Sequence, residues 1–206
     1  MNSHTSLHSR PSRHLCLILV STMLSMGLGP AMAENTTPAQ SQSQSGSGIA
    51  PKPRQLPQID QVFLRQAQQA CVAAVQGSKL ALDRSTNTQV RNFAQRVLEK
   101  HTHTRSKLDA LAEAKGVDIP ESPSLTQRAK LAILSMREGR NFDQDYVESV
   151  GVAAHQDTIE LFQKAVANTN DPDVRAFATD TLPELQHDLD VAKTLQATTL
   201  QEESDK

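Results

Sequence analysis

Between Asp60 and Leu195 the chain repeats apolar residues three and four positions apart, the period of helices that turn one side to a core. The first stretch, Asp60 to Arg84, presents Phe63, Ala67, Ala70, Ala74, Ser78 and Ala81 on one face, with Asp60, preceded by Pro57, expected as its N-cap. Most of these residues are small, which lets neighbouring helix axes approach closely. After a Ser85-Thr86-Asn87 turn, a second helix carries the seam Val90, Phe93, Ala94, Val97, His101, Leu108, Leu111 and Ala112, and ends at Lys115-Gly116, a basic last turn followed by a C′ glycine. A shorter helix, Ser124 to Glu138, has Leu125, Ala129, Ala132, Ile133 and Met136 as its apolar positions, and Gly139 ends it. The next begins around Asn141 to Asp143 and runs to about Asn168 along Val147, Gly151, Ala154, His155, Thr158, Ile159, Phe162 and Val166. Asn170-Asp171-Pro172 opens the last helix, with an Asp N-cap and Pro at N1. That helix continues past Leu195, and Pro183 within it predicts a kink. No stretch alternates with the period of a strand. The pattern predicts an all-α fold: an antiparallel, up-and-down four-helix bundle with one additional short helix and a kinked last helix.

Ahead of the bundle the pattern changes twice. Arg10 and Arg13 precede an apolar run from Leu15 to Met26, followed by Ala31-Met32-Ala33 and the polar Glu34, which is the plan of a cleavable secretory signal peptide over residues 1–33. The run falls short of the roughly 18 to 20 apolar residues of a spanning helix, so the mature chain is expected to have no transmembrane helix. Residues 34–58 form a Ser/Gln/Pro-rich tract, too poor in large apolar groups to offset its ordering entropy, and read as a disordered tether. The bundle domain then spans 59–199 and a polar tail 200–206. The expected address is the periplasm, with association to the outer membrane as an extension of it.

Composition narrows the chemistry. The 206 residues carry 21 Lys and Arg against 23 Asp and Glu; residues 1–33 hold only Arg10 and Arg13, so the mature chain has 173 residues, 19 basic and 23 acidic, and a net charge of −4. With that balance, no tryptophan and a single tyrosine, Tyr146, nucleic acid is excluded as a partner. Cys16 leaves with the signal, so the remaining Cys71 has no intramolecular partner; it is expected to be a small, partly buried hydrophobe on the first helix, with an intermolecular disulfide as the alternative.

The candidate chemistry lies in histidines. Taking Val90 as zero and about 100° per residue, His101 falls near 20°, amid the apolar seam, and His103 near 220°, on the opposite side. His155 also lies within an apolar stripe. His187 follows Glu184 in a Glu-x-x-His spacing, which places both groups together on one helix. Facing helices of a bundle build metal sites from such side chains, so His101, His155, His187 and Glu184 form a candidate site for a divalent transition metal. His187 stands roughly 140° from the stripe Val174, Ala178, Leu185, Leu189 and Ala192, and needs the Pro183 kink to turn it inward. A di-iron centre is excluded: it takes two Glu-x-x-His helices and two further inward glutamates, and no acid lies between Asp60 and Asp83 on the first helix. The competing account of His101 and His155 is a pair of core histidines hydrogen-bonded across the bundle. The chain has no Gly-rich phosphate loop, Gly-x-Ser-x-Gly, His-Glu-x-x-His or Cys-x-x-Cys motif.

Phe63-Leu64, Lys79-Leu80-Ala81, Val90-Arg91-Asn92-Phe93-Ala94 through His101, Lys115-Gly116-Val117 with Pro120, Phe142 through Tyr146, Ala154-His155-Gln156, Phe177-Ala178 and Leu182 through His187 follow one another in an order that resembles domain-of-unknown-function family 4142, over roughly Gln61 to Leu195. The resemblance implies a ferritin-like four-helix bundle in bacterial envelope proteins, and histidine at positions 101, 155 and 187. This chain departs from the family at Ala74 and Gln76, where acids are usual, and at Lys100, which replaces an acid before His101. The expectation is therefore an exported, non-enzymatic envelope protein with a binding or structural role. Its expected partners are an envelope protein, the cell wall or a second copy in a homo-oligomer. The alternative is a metal-binding bundle for storage or stress protection.

Overall fold

The computed structural model describes residues 55–204, with side chains as far as Thr199. The expected signal segment, 1–33, and the expected tether up to residue 54 lie outside the described residues. Among the described residues the chain is helical with no strand. The helices are α1 (Gln58–Arg84), α2 (Thr88–Lys115), α3 (Leu125–Ser135), α4 (Gly139–Tyr146), a π-helical segment (Val147–Ala153), α5 (Ala154–Asn168) and α6 (Pro172–Ser204). The segments α4, π and α5 follow without a break and make one rod, so four long rods and the short α3 account for the fold.

The helix ends mostly follow local chemistry. The Asn87 side chain accepts from the Gln89 and Val90 amides to cap α2. Gly116 adopts φ 64° and returns its N–H to Ala112 and Glu113, while the Val117 amide also reaches the Ala112 carbonyl. Asp171 caps α6 through the Asp173 and Val174 amides. At α1 the expected cap is displaced: Pro57 occupies that position, the Asp60 amide already donates to its carbonyl, and Asp60 sits buried in the first turn. Proline's fixed φ suits it to a helix start, and the amide ends of that turn favour a carboxylate. Gly139, expected to end the short helix, begins α4 instead, because Met136 already closes α3 by bonding Ile133 and Leu134.

The rods form a ring in the order α1, α2, α6, α4–α5 and back to α1. Ring neighbours run antiparallel, as their contacts show: Gln68 meets Asp109, Lys115 meets Asp173 while Lys100 meets Asp188, and Phe63 meets Phe162 while Ser78 meets Tyr146. The simple up-and-down expectation needs correction. The second and third rods are diagonal and run the same way, since His101 pairs with His155 and Phe93 with Tyr146. The connection over residues 116–138, carrying α3, is long enough for the chain to return along the bundle before the third rod, the one-crossover arrangement of bundles.

Two apolar clusters fill the interior. One holds Phe63, Leu64, Leu108, Phe162, Val174 and Leu185, together with Leu56, a residue of the expected tether that packs into the core. The other holds Val90, Phe93, Val97, Phe142, Tyr146 and Leu195. Between them lies a polar layer: along α2, His101 falls between Val97 and Leu108; along α5, His155 between Val150 and Ile159; along α6, Asp188 between Leu185 and Ala192. Across from this layer α1 offers Ala70, Ala73 and Ala74, side chains too short to fill the space.

Candidate functional site

His101 and His155 are both buried, at 5% and 2% exposure, and their rings meet edge to face with Nε2 to Nε2 at 3.4 Å. The π segment orients the pair. Where i→i−5 pairing reverts to i→i−4, one carbonyl is left without an amide partner, and at this junction the Val150 oxygen lies 3.0 Å from His155 Nδ1. A carbonyl only accepts, so His155 carries its proton on Nδ1 and presents a bare Nε2 to His101. His101 must then donate from Nε2, which leaves its Nδ1 as a buried acceptor with no partner. Burial, the neighbouring imidazole and Lys100 hold the His101 pKa down to about 3. Burial also lowers that of His155, against the opposing pull of its bond to Val150 and of Asp188. The pair is neutral at physiological pH.

A cavity of about 340 Å³ runs from this pair outward between α1, α3 and the third rod. Ala70, Ala73 and Ala74 form one wall, Leu131 and Leu134 of α3 a second, and Val150, Ala154 and Leu161 a third; Gln66, Gln69, Gln127, Lys130 and Asp157 provide its polar lining. Gly77 allows α1 to approach closely here, because a Cβ at that position would stand 3.0 Å from Val150 and 3.3 Å from Leu131.

Of the residues that the sequence proposed for metal, the structure brings together His101 and His155 only. His187 and Glu184 are exposed, and α6 stays helical through Pro183 without turning His187 inward. His187 instead lines, with Phe93 and Arg96, a separate surface depression of about 450 Å³. The residue that α6 sends into the polar layer is the next one, Asp188, at 1% exposure. Its carboxylate is held by Lys100 at 3.2 Å and Arg96 at 3.5 Å. Sequence reasoning missed Asp188, although the spacing contained it: Val174, Ala178, Thr181, Leu185, Asp188, Ala192, Leu195 and Thr199 alternate steps of four and three, and all are buried. A stripe drawn from apolar residues alone omits a charged member of the same register.

The donor set does not fit a metal ion held by three or more of these residues. Among the described residues no group of three His, Cys, Asp or Glu side chains is placed to hold one, the Asp188 carboxylate is neutralised by two cations, and the second nitrogen of His101 lacks the partner that orients a ligating imidazole. What the arrangement offers is a largely apolar recess that ends in two neutral imidazoles.

Solved structures show the same fold at low identity. A DUF305 fragment from Deinococcus radiodurans matches with a TM-score of 0.62 at 14% identity, over 69% of this chain and 98% of its own. A DUF305 protein from Streptomyces coelicolor matches at 0.60 and 15%, over 68% and 92%. A conserved hypothetical protein from Mycobacterium tuberculosis matches at 0.55 and 20%, over 68% and 91%. Comparison with curated proteins gives no match. Residues 46–195 match the family model described as a domain of unknown function, DUF4142, and the chain belongs to that family.

Proposed function

We propose that this chain is an exported, non-enzymatic binding protein of the cell envelope, and that its cavity takes up a small, largely apolar molecule. The observation that carries this reading is the cavity of about 340 Å³ that ends at the His101–His155 pair. Its volume falls within the range of small-molecule sites, and its few convergent polar groups amid apolar walls are what such sites use for orientation. The imidazoles of His101 and His155 form the inner polar end of that recess. Export rests on the signal pattern of residues 1–33, and no helix among the described residues is long and apolar enough to cross a membrane.

The test uses N-phenyl-1-naphthylamine, a neutral aromatic probe with one N–H donor whose fluorescence rises in apolar surroundings. The parent should bind it saturably at one site. Ala70→Leu combined with Ala73→Leu, which fills the recess from α1, should weaken binding at least tenfold with the helical circular dichroism retained. Unchanged binding in the filled variant, or no saturable binding by the parent, contradicts the proposal.

One observation favours a divalent metal as the second reading. Two nitrogens about 2.05 Å from a tetrahedral ion stand about 3.3 Å apart, close to the 3.4 Å between the two Nε2 atoms. The remaining ligands would have to come from outside the His, Cys, Asp and Glu of the layer. Elemental analysis after equilibration with zinc separates the readings: the cavity reading predicts no stoichiometric metal, whereas one equivalent lost in His101→Ala with His155→Ala would establish the metal.

A further inference from the structure

The short helix α3 has two apolar faces, and only one of them is used by the fold. Taking Leu125 as zero and about 100° per residue, Leu134, Gln127 and Leu131 lie between about 180° and 240°, the side turned to the cavity. Ala132, Leu125, Met136, Ala129 and Ile133 lie in a second arc from about 340° to 80°, and all five are exposed. This stripe is the one the sequence singled out as the apolar positions of the helix, and the structure turns it to solvent. Exposure reaches 76% at Leu125, 53% at Ile133 and 73% at Met136, three of the five large exposed apolar side chains among the described residues.

Charge identifies what would cover it. Residues 122–137 hold Arg128, Lys130 and Arg137 and no carboxylate, in a chain whose formal net charge is −2. On the wheel Arg128 falls near 300° and Arg137 and Lys130 near 120° and 140°, so cations flank the outward stripe on both sides. Arg128 and Lys130 are exposed and enter none of the ion pairs among the described residues, while Arg137 is held by Asp145 at 2.6 Å. Three large side chains and two alanines on one short helix fall well below the roughly 800 Å² per partner of a stable protein interface. A bilayer surface suits them better: it receives a shallow apolar face, and its anionic headgroups attract the flanking cations. We propose that α3 is a membrane-docking helix, which lays Leu125, Ile133 and Met136 into the surface of an anionic phospholipid bilayer with Arg128 and Lys130 at the headgroups. The proposal does not rest on the cavity, although Lys130 also lines it.

The experiment is co-sedimentation with phosphatidylglycerol vesicles. It uses the chain from Glu34 to Lys206, which keeps the whole bundle and leaves out the apolar run of the signal segment. The parent should bind, at least tenfold more weakly to phosphatidylcholine vesicles and more weakly as salt rises. Ile133→Glu with Met136→Glu should lose at least tenfold in binding, and Arg128→Glu with Lys130→Glu about tenfold or more. Thermal melting of both variants should match the parent, since the altered side chains are exposed. No binding by the parent, equal binding by the variants, or a dimer in light scattering that Met136→Glu dissolves without any vesicle binding would each overturn the proposal.

Discussion

A histidine on an apolar face has to be accounted for by its partners, and those of His101 are now named: the bare Nε2 of His155 on one side and, on the other, an Nδ1 that meets no donor. The consequence is a pH dependence whose sign follows from proton counting. In the unfolded chain an imidazole takes up its proton near pH 6.5, whereas in the fold His101 refuses it until about pH 3. Between these limits the unfolded state binds more protons, so the contribution of His101 is complete above pH 6.5 and declines by about 1.4 kcal/mol per pH unit below it. Urea unfolding at pH 7 and pH 5 should show a smaller acid loss in His101→Leu than in the parent; equal losses would remove His101 from the account. Cys71 gives a second prediction at this scale. It is 2% exposed, and burial raises its thiol to about 12, so a disulfide reagent at pH 8 should label it only after unfolding. Prompt labelling of the folded chain would contradict the packing. His101 was legible in the sequence from its place on an apolar face, and Cys71 only as a small apolar residue of the first helix. Asp188 was not, because its charge hid its register.

At the scale of elements, five helices were legible from period, caps and punctuation, and the αL cap at Gly116 stands as expected. Replacing Gly116 by Ala forces a side chain into φ 64° and should lower stability by about 1 kcal/mol in chemical denaturation. The π segment was not legible: an extra residue in a turn leaves the apolar period nearly unchanged over seven residues, yet it aims His155. Nor did the sequence show which stripe of α3 faces the protein. Both are apolar, and only tertiary contact decides between them. Leu134 is the one buried residue of α3, so Leu134→Ala should loosen this helix without unfolding the bundle. Hydrogen exchange should show lost protection over residues 125–135 and unchanged protection in α2. Uniform loss would mean that α3 belongs to the global core.

For the whole molecule, the helical class followed from pattern, and the antiparallel pairing of α1 with α2 and of the third rod with α6 followed from short turns. The crossover did not. A connection of residues 116–138 is compatible with either direction of the third rod, and the contacts between His101 and His155 and between Phe93 and Tyr146 choose the parallel one. That choice brings the two imidazoles to one level of the bundle, opposite the alanines of α1, and so creates the cavity. Four histidines lie among the described residues, which allows one titration to test the central claim. Nitrogen-15 NMR of the imidazoles, followed as N-phenyl-1-naphthylamine is added, should move the signals of His101 and His155 together and saturably. His103 and His187, both exposed and away from the recess, should stay in place. Movement confined to His187, or none at the buried pair, would contradict a binding site there.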